Sequence, residues 1–136
     1  DISYAFESGK VTGSYGTATA RAHADALYTQ TDEDNGLGTK DDVKTEGLKT
    51  KLIRDVKVDA EAELNKTDWY IVRNAEKSTA IPSAITTHRD AVRSKQTAME
   101  TAITNASNTP ALETLYTYTR QDNGSVTRPL GEIPKL

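Results

Sequence analysis

Few residues in this chain have types and spacing suited to chemistry. His23 and His88 are its only imidazoles. A histidine can ligate a metal or act as a general base near neutral pH. His23 has only Asp25 close by, and no second ligand is evident. His88 falls on the apolar stripe of a predicted helix. Both are expected to be packing or surface histidines. An Asp68–His88 or Asp90–His88 pair can be drawn, but no nucleophile is placed beside either. There is no Ser-His-Asp order, GxSxG, HExxH or phosphate-binding glycine loop. The chain is therefore expected not to be an enzyme, and no catalytic residue, cofactor or metal ligand is assigned.

The segment TDEDNGLGTKDD, residues 31–42, is acidic and invites a calcium reading. An EF-hand loop with Gly36 as its fixed glycine would put Thr31, Glu33 and Asn35 at the first ligand positions. Thr31 fails there, and no glutamate closes the loop. A solvated turn is expected. Trp69, Tyr70, Tyr116 and Tyr118 could stack on sugar or nucleotide rings, but the same residue types anchor cores and interfaces, which is the expected role. Asp68 with Arg73, Arg89 and Arg93 is more informative. Arg89 and Arg93 are one helical turn apart and share a face. A carboxylate meeting an arginine fork makes a directional contact. The expected result is a clasp between a connector and a helix; an anion site is the alternative.

The elements that must position these residues follow from periodicity. ISYAFESGKVTGS alternates apolar and polar residues, and predicts a hairpin turning at Ser8-Gly9 with Ile2, Tyr4 and Phe6 on one face. The Ala-rich stretch 17–30 predicts a short helix with Ala22, Ala26 and Leu27 on one side. A longer helix is predicted over 43–64, where Leu48, Leu52, Val56, Ala60 and Leu64 recur at i+4 with Ile53 alongside. Gly47 costs roughly 1 kcal/mol inside a helix, so the true start falls at or just after it. Residues 67–77 predict a short helix or an extended connector, bounded by Ile81-Pro82. A second long helix is predicted over 82–107, with Pro82 in its first turn and Ile85, His88, Val92, Met99, Ile103 and Ala106 on one face. Thr109 as N-cap and Pro110 at the first helical position predict a short helix. Asn123-Gly124 predicts a second hairpin, and the two hairpins are expected to belong to one small sheet. Pro129 and Pro134 break any pairing beyond it, so the last residues are expected to lie on a neighbour or hang free.

Composition limits the core. The 136 residues are 35% hydrophobic, with one Phe and one Met. With the glycines counted the apolar share is about 41%, below the ~45–50% of most globular domains. A single small domain of that kind is marginally stable alone, and is expected to lean on neighbours. Net charge is −3 with the signs interspersed, so no basic face for nucleic acid is expected. There is no cysteine. No apolar run approaches membrane-spanning length. No signal peptide is recognised, and Asp1 in place of Met is expected to reflect an upstream start or cleavage.

One segment is similar to a known one. Leu64, Thr67-Asp68-Trp69, Arg73, Glu76 and Ile81-Pro82, followed by Arg89, Ala91 and Arg93, resemble a segment common in tailed-bacteriophage proteins. There it reads Leu, two residues, Thr-Asp-Trp, a spacer, Pro, then Tyr-Arg-x-Ala-Leu-Arg. His88 stands at the aromatic position and Val92 at the second leucine. Proteins carrying the segment are described as tail-fibre assembly or tail-chaperone-like proteins, or as virion proteins. The resemblance implies a phage-encoded, non-enzymatic virion component made in the host cytoplasm, acting by contact with other virion proteins or copies of itself. An assembly chaperone and a carbohydrate-binding surface module are the alternatives.

The expected architecture is mainly α with minor β, in one domain spanning 1–136. Residues 1–40 carry a hairpin, a short helix and a loop. Residues 43–108 form a helical-hairpin core, and 109–136 a short helix, a hairpin and an extended arm. Thr67, Asp68, Trp69, Arg73, Pro82, Arg89 and Arg93 are the structural motif. Trp69 is expected to plug the gap between the two long helices, so that Trp69→Ala costs roughly 3–5 kcal/mol. Tyr116, Tyr118, Pro129 and Pro134 are the expected interface residues.

Overall fold

A computed structural model describes residues 2–15 and 21–136. In chain order the elements are β1 (Ile2–Glu7), β2 (Lys10–Tyr15), β3 (Ala26–Leu27), α1 (Gln30–Asp34), β4 (Val43–Thr45), α2 (Leu48–Asn65), α3 (Asp68–Lys77), α4 (Ser83–Asn105), α5 (Thr109–Tyr116), β5 (Thr119–Arg120) and β6 (Val126–Thr127). The chain is mainly α with minor β, as its periodicity predicts.

The core is the α2–α4 hairpin, with Val56 and Ala60 of α2 facing Val92, Met99 and Ile103 of α4. All five are buried to 3% exposure or less. These are the positions that the i+3/i+4 stripes place on the inner faces, because such spacing keeps side chains on one side of a helix. Leu112 of α5, and Leu130 and Ile133 from the last residues, complete the cluster.

The N-terminal hairpin forms as expected. β1 and β2 pair antiparallel, with Phe6 opposite Val11 and Tyr4 opposite Gly13. Ser8 and Gly9 have φ of +52° and +75°, as a two-residue hairpin turn of matching twist requires. Tyr4, Phe6 and Val11 are each about 70% exposed.

Several expectations are corrected. Among the described residues, 21–29 are not helical, and Ala26–Leu27 form strand β3 against β4; residues 17–20 of the expected helix lie outside the described ones. The Ala-rich propensity loses to long-range pairing. Leu48 N–H donates to Ala22 C=O and Lys49 N–H to His23 C=O, at 2.9 and 3.0 Å. Asp25 accepts from Gly47 N–H at 2.6 Å and from Thr50 Oγ1 at 2.7 Å, which lowers its pKa, the Thr50 bond contributing most. A helix over 21–29 would withdraw these groups from the open first turn of α2, whose N–H donors have no intrahelical partner. For the same reason α2 starts after Gly47, and 43–45 is a strand. The acidic segment is partly helical: Thr29 and Asp32 form a capping box that starts α1.

Asn108, not Thr109, caps α5, with its side chain accepting from Ala111 N–H at 2.9 Å. Pro82 sits at the N-cap of α4, one position outside the first turn. Asn123-Gly124 does turn a hairpin, through a three-residue loop, since Gln121 N–H bonds Ser125 C=O and Gly124 has φ +83°. The two hairpins form separate two-stranded sheets. The C-terminal arm does not hang free; it lies on its own chain. Leu130 N–H bonds Leu115 C=O, Leu136 N–H bonds Glu63, and Leu130 and Ile133 are buried in the helical core.

Gly47 tests the docking of residues 22–25. A Cβ there would lie 2.3 Å from the Ala24 carbonyl carbon. Gly47→Ala is therefore expected to cost about 1–3 kcal/mol by overpacking, read as a lowered urea midpoint; an unchanged midpoint would show that this segment can move aside freely.

Candidate functional site

The Thr67-Asp68-Trp69 segment sits where α2 ends and α3 begins. The last turn of a helix leaves carbonyls unpaired. Here Leu64 C=O accepts from Thr67 N–H at 3.0 Å, from Thr67 Oγ1 at 2.9 Å and from Arg89 Nη1 at 2.8 Å. Arg89 Nη1 also donates to Thr67 Oγ1 at 2.7 Å and lies 2.8 Å from Asp68 Oδ1. One guanidinium nitrogen of α4 thus ties together the end of α2, the linking threonine and the start of α3. Arg89 is 8% exposed and Thr67 fully buried. The positive group lies at the carbonyl end of α2 and Asp68 at the amide end of α3, so both agree with the helix dipoles.

The clasp expected between Asp68 and an arginine therefore forms with Arg89. Arg93 does not join it; it points to Asp90 at 3.4 Å on the exposed side of α4. Arg73 instead covers the rings of Trp69 and Tyr70, at 4.7 and 5.4 Å from their centroids. A groove of about 350 Å³ opens beside the clasp, bordered by Lys57, Glu61, Asn65 and Gln96 as well as Asp68 and Arg89. Both signs of charge line it, and Arg89 already serves acceptors of its own chain. The geometry is that of a structural clasp more than of an anion site.

Trp69 is placed differently from expectation. It is 51% exposed and does not plug the inter-helix gap. Thr67 takes the buried position, because it is the residue at the α2–α3 corner that faces α4. None of the residues of α3 is buried, and Trp69, Ile71 and Val72 all face outward.

Sequence reasoning missed a second polar centre. Glu63 is only 1% exposed. Its carboxylate accepts from Lys66 Nζ at 2.6 Å and from Leu136 N–H at 2.9 Å, with Lys135 Nζ at 3.6 Å and His88 Nε2 at 3.4 Å. The Lys66 bond, then the Leu136 amide, hold its pKa down at about 2. Its place was readable in principle. Val56, Ala60 and Glu63 follow i+4 and i+3 steps, so a glutamate occupies the core stripe. Arg89 is marked in the same way between Ile85 and Val92. His88 thus packs against a carboxylate, while the backbone carbonyl of His23 serves the first turn of α2.

The guanidinium carbon of Arg128 lies 5.0 and 5.2 Å from the ring centroids of Tyr116 and Tyr118. Tyr118 Oη donates to Glu132 at 2.6 Å, which raises its pKa. Pro129 is exposed and Pro134 half-buried along the arm. Tyr116 and Tyr118 thus pack against the C-terminal hairpin and arm of their own chain. Among the described residues, no group of three or more His, Asp or Glu is arranged to hold a metal ion, and no helix is long and apolar enough to cross a membrane. No family model, curated protein or solved structure matches the chain.

Thr67→Val should cost about 1–3 kcal/mol, the penalty for leaving buried hydrogen-bonding groups unpaired. Trp69→Ala should cost only about 1 kcal/mol, since a half-exposed ring loses mainly its cation–π partner. Chemical denaturation of both variants checks the order; a larger loss at Trp69 would return it to the core. Because the folded pKa of Glu63 lies below its ordinary 4.5, its contribution is present above that value and is lost as pH falls towards about 2. Glu63→Gln should flatten this acid limb of the Tm profile between those values; an unaltered limb would remove Glu63 as its source.

Proposed function

We propose that this chain is a non-enzymatic structural component of a bacteriophage particle, of the tail, a fibre or the particle surface, working by protein–protein contact in a multi-copy assembly. The observation that carries the contact reading is the inverted placement of α3. Its apolar residues Trp69, Ile71 and Val72 face solvent while its root is clamped by Arg89. Rigid presentation of apolar side chains is what an interface needs and what an isolated domain avoids. The N-terminal hairpin adds Tyr4, Phe6 and Val11, also outward. The phage setting rests on the resemblance of Leu64–Arg93, whose Asp68 and Arg89 meet in one clasp.

A carbohydrate-binding role would also use an exposed Trp69. It is less well supported, because Arg73 lies over that ring and the Tyr70 centroid is 3.7 Å from its own. Two residues of its own helix therefore compete with a sugar for stacking.

Peptide mass spectrometry on purified, intact phage particles from the encoding strain separates the readings. Peptides at a copy number comparable to the other tail or capsid proteins are expected. Presence in infected-cell lysate but absence from particles would replace the structural role with an assembly chaperone. Absence from both would discard the phage setting.

A further inference from the structure

We propose that Asn123 is a site of spontaneous covalent modification. In the folded chain its side chain closes on the Gly124 amide, loses ammonia and becomes isoaspartate or aspartate, assisted by Ser125.

The chain has two Asn-Gly steps, Asn35-Gly36 and Asn123-Gly124. Glycine has no Cβ to keep the asparagine side chain from the next peptide nitrogen, so both steps are candidates by sequence. They differ at the residue that follows. Asn123 Oδ1 accepts from Ser125 N–H at 3.0 Å and from Ser125 Oγ at 2.6 Å. A side-chain carbonyl bonded to the amide two residues ahead makes an Asx turn, which folds the Asn123 carboxamide towards the Gly124 peptide. At Asn35 the equivalent amide, Leu37 N–H, is spent on Asp32 C=O at 2.9 Å, and Leu37 has no hydroxyl to offer.

Both glycine amides must first be freed. Gly36 N–H donates to Glu33 C=O and Gly124 N–H to Gln121 C=O, each at 2.9 Å. Gly124 is the easier to free. β5 and β6 have two exposed residues each and pair only with each other. A two-stranded hairpin is marginal on its own, so its opening costs little. By contrast α1 is started by a capping box, and its Asp32 and Glu33 carboxylates hold Lys44 Nζ and Lys40 N–H at 2.8 and 3.1 Å.

The freed Gly124 N–H gives its proton to hydroxide, and the nitrogen attacks Asn123 Cγ. A C–N bond forms and negative charge builds on Oδ1. Ser125 N–H and Oγ–H already donate to that atom, the arrangement that stabilises an oxyanion. The Cγ–Nδ2 bond then breaks, and Nδ2 takes a proton from water and leaves as ammonia. Water opens the cyclic imide. Cleavage at the main-chain carbonyl gives isoaspartate, and cleavage at Cγ gives aspartate. The net change is carboxamide plus water to carboxylate plus ammonium. Isoaspartate carries the chain through Cβ and Cγ, which lengthens the turn and breaks the register of the Gln121–Ser125 and Gly124–Gln121 bonds. The new charge stands next to Asp122 and adds to the net −3. The arm beyond is held separately by Leu130, Ile133 and the Leu136–Glu63 bond, so the change stays within the hairpin.

The full chain and Ser125→Ala are incubated at mildly alkaline pH, folded and in concentrated urea, and sampled by tryptic peptide mapping. The two sites fall on different peptides, 22–40 and 121–135, because Arg128 precedes a proline. In the folded chain Asn123 is expected to convert roughly ten-fold faster than Asn35, a barrier difference of about 1.4 kcal/mol. In urea the two rates should approach each other. Ser125→Ala keeps the N–H and removes the hydroxyl. It should slow Asn123 about three-fold in the folded chain, well below the ~10²–10³ of a buried oxyanion-hole donor, and leave the rate in urea unchanged. Isoaspartate should exceed aspartate. Asn35 converting as fast as Asn123 when folded, a folded rate untouched by Ser125→Ala, or aspartate as the sole product would overturn the proposal. So would an Asn123 that converts only in urea. The chemistry is independent of the phage setting, so either can fail while the other stands.

Discussion

The fold depends on one guanidinium. Arg89 brings a permanent charge to a nearly solvent-free position, which is costly unless every polar neighbour is used. Its Nη1 is met by Leu64 C=O, Thr67 Oγ1 and Asp68 Oδ1. These groups belong to the frayed end of one helix and the beginning of the next, where backbone carbonyls and amides would otherwise be open. The same contact therefore closes α2, starts α3 and fixes both to α4. Because it fixes α3 at its root, α3 does not need to bury its own apolar side chains to be held.

The two ends of α2 follow a common plan. At the first turn, residues 22–25 bring two carbonyls and the Asp25 carboxylate to open amides. At the last turn, buried Glu63 receives the Leu136 amide and lies near Lys66, Lys135 and His88. Segments distant in sequence thus converge on the helix that brings Val56 and Ala60 to the small core. With a cluster made mainly of Val, Ala, Ile and Leu, these polar closures at the ends matter more than they would in a thicker domain. The apolar face left on α3 is then a consequence of local economy: the clasp, not a hydrophobic contact, positions that helix.

What was legible in the sequence was periodic or local. The stripes Leu48–Leu64 and Ile85–Ala106 predict the helical hairpin, and Ser8-Gly9 and Asn123-Gly124 predict the turns, because these signals lie within one element. β3 and β4 have only two and three residues and exist through pairing with each other; nothing within either marks it as a strand. The asparagine at 108 outranked Thr109 as a cap because its side chain reaches Ala111 N–H. The Asp68–arginine contact was legible as a motif, but the choice of Arg89 over Arg93 was not, since it depends on which side of α4 faces the α2–α3 corner. Trp69 was misplaced for a related reason. Size suggested burial, yet the corner admits a threonine and turns the indole outward.

Hydrogen exchange on Arg89→Met tests the claim that the clasp, and not apolar burial, holds α3. Methionine keeps the apolar stem of the arginine and removes the donors. The account predicts that α3 amides lose most of their protection while amides of α4 around Ile103 keep theirs. Protection of α3 equal to that of the unaltered chain would contradict it, and would mean that packing against α2 alone suffices to hold the helix.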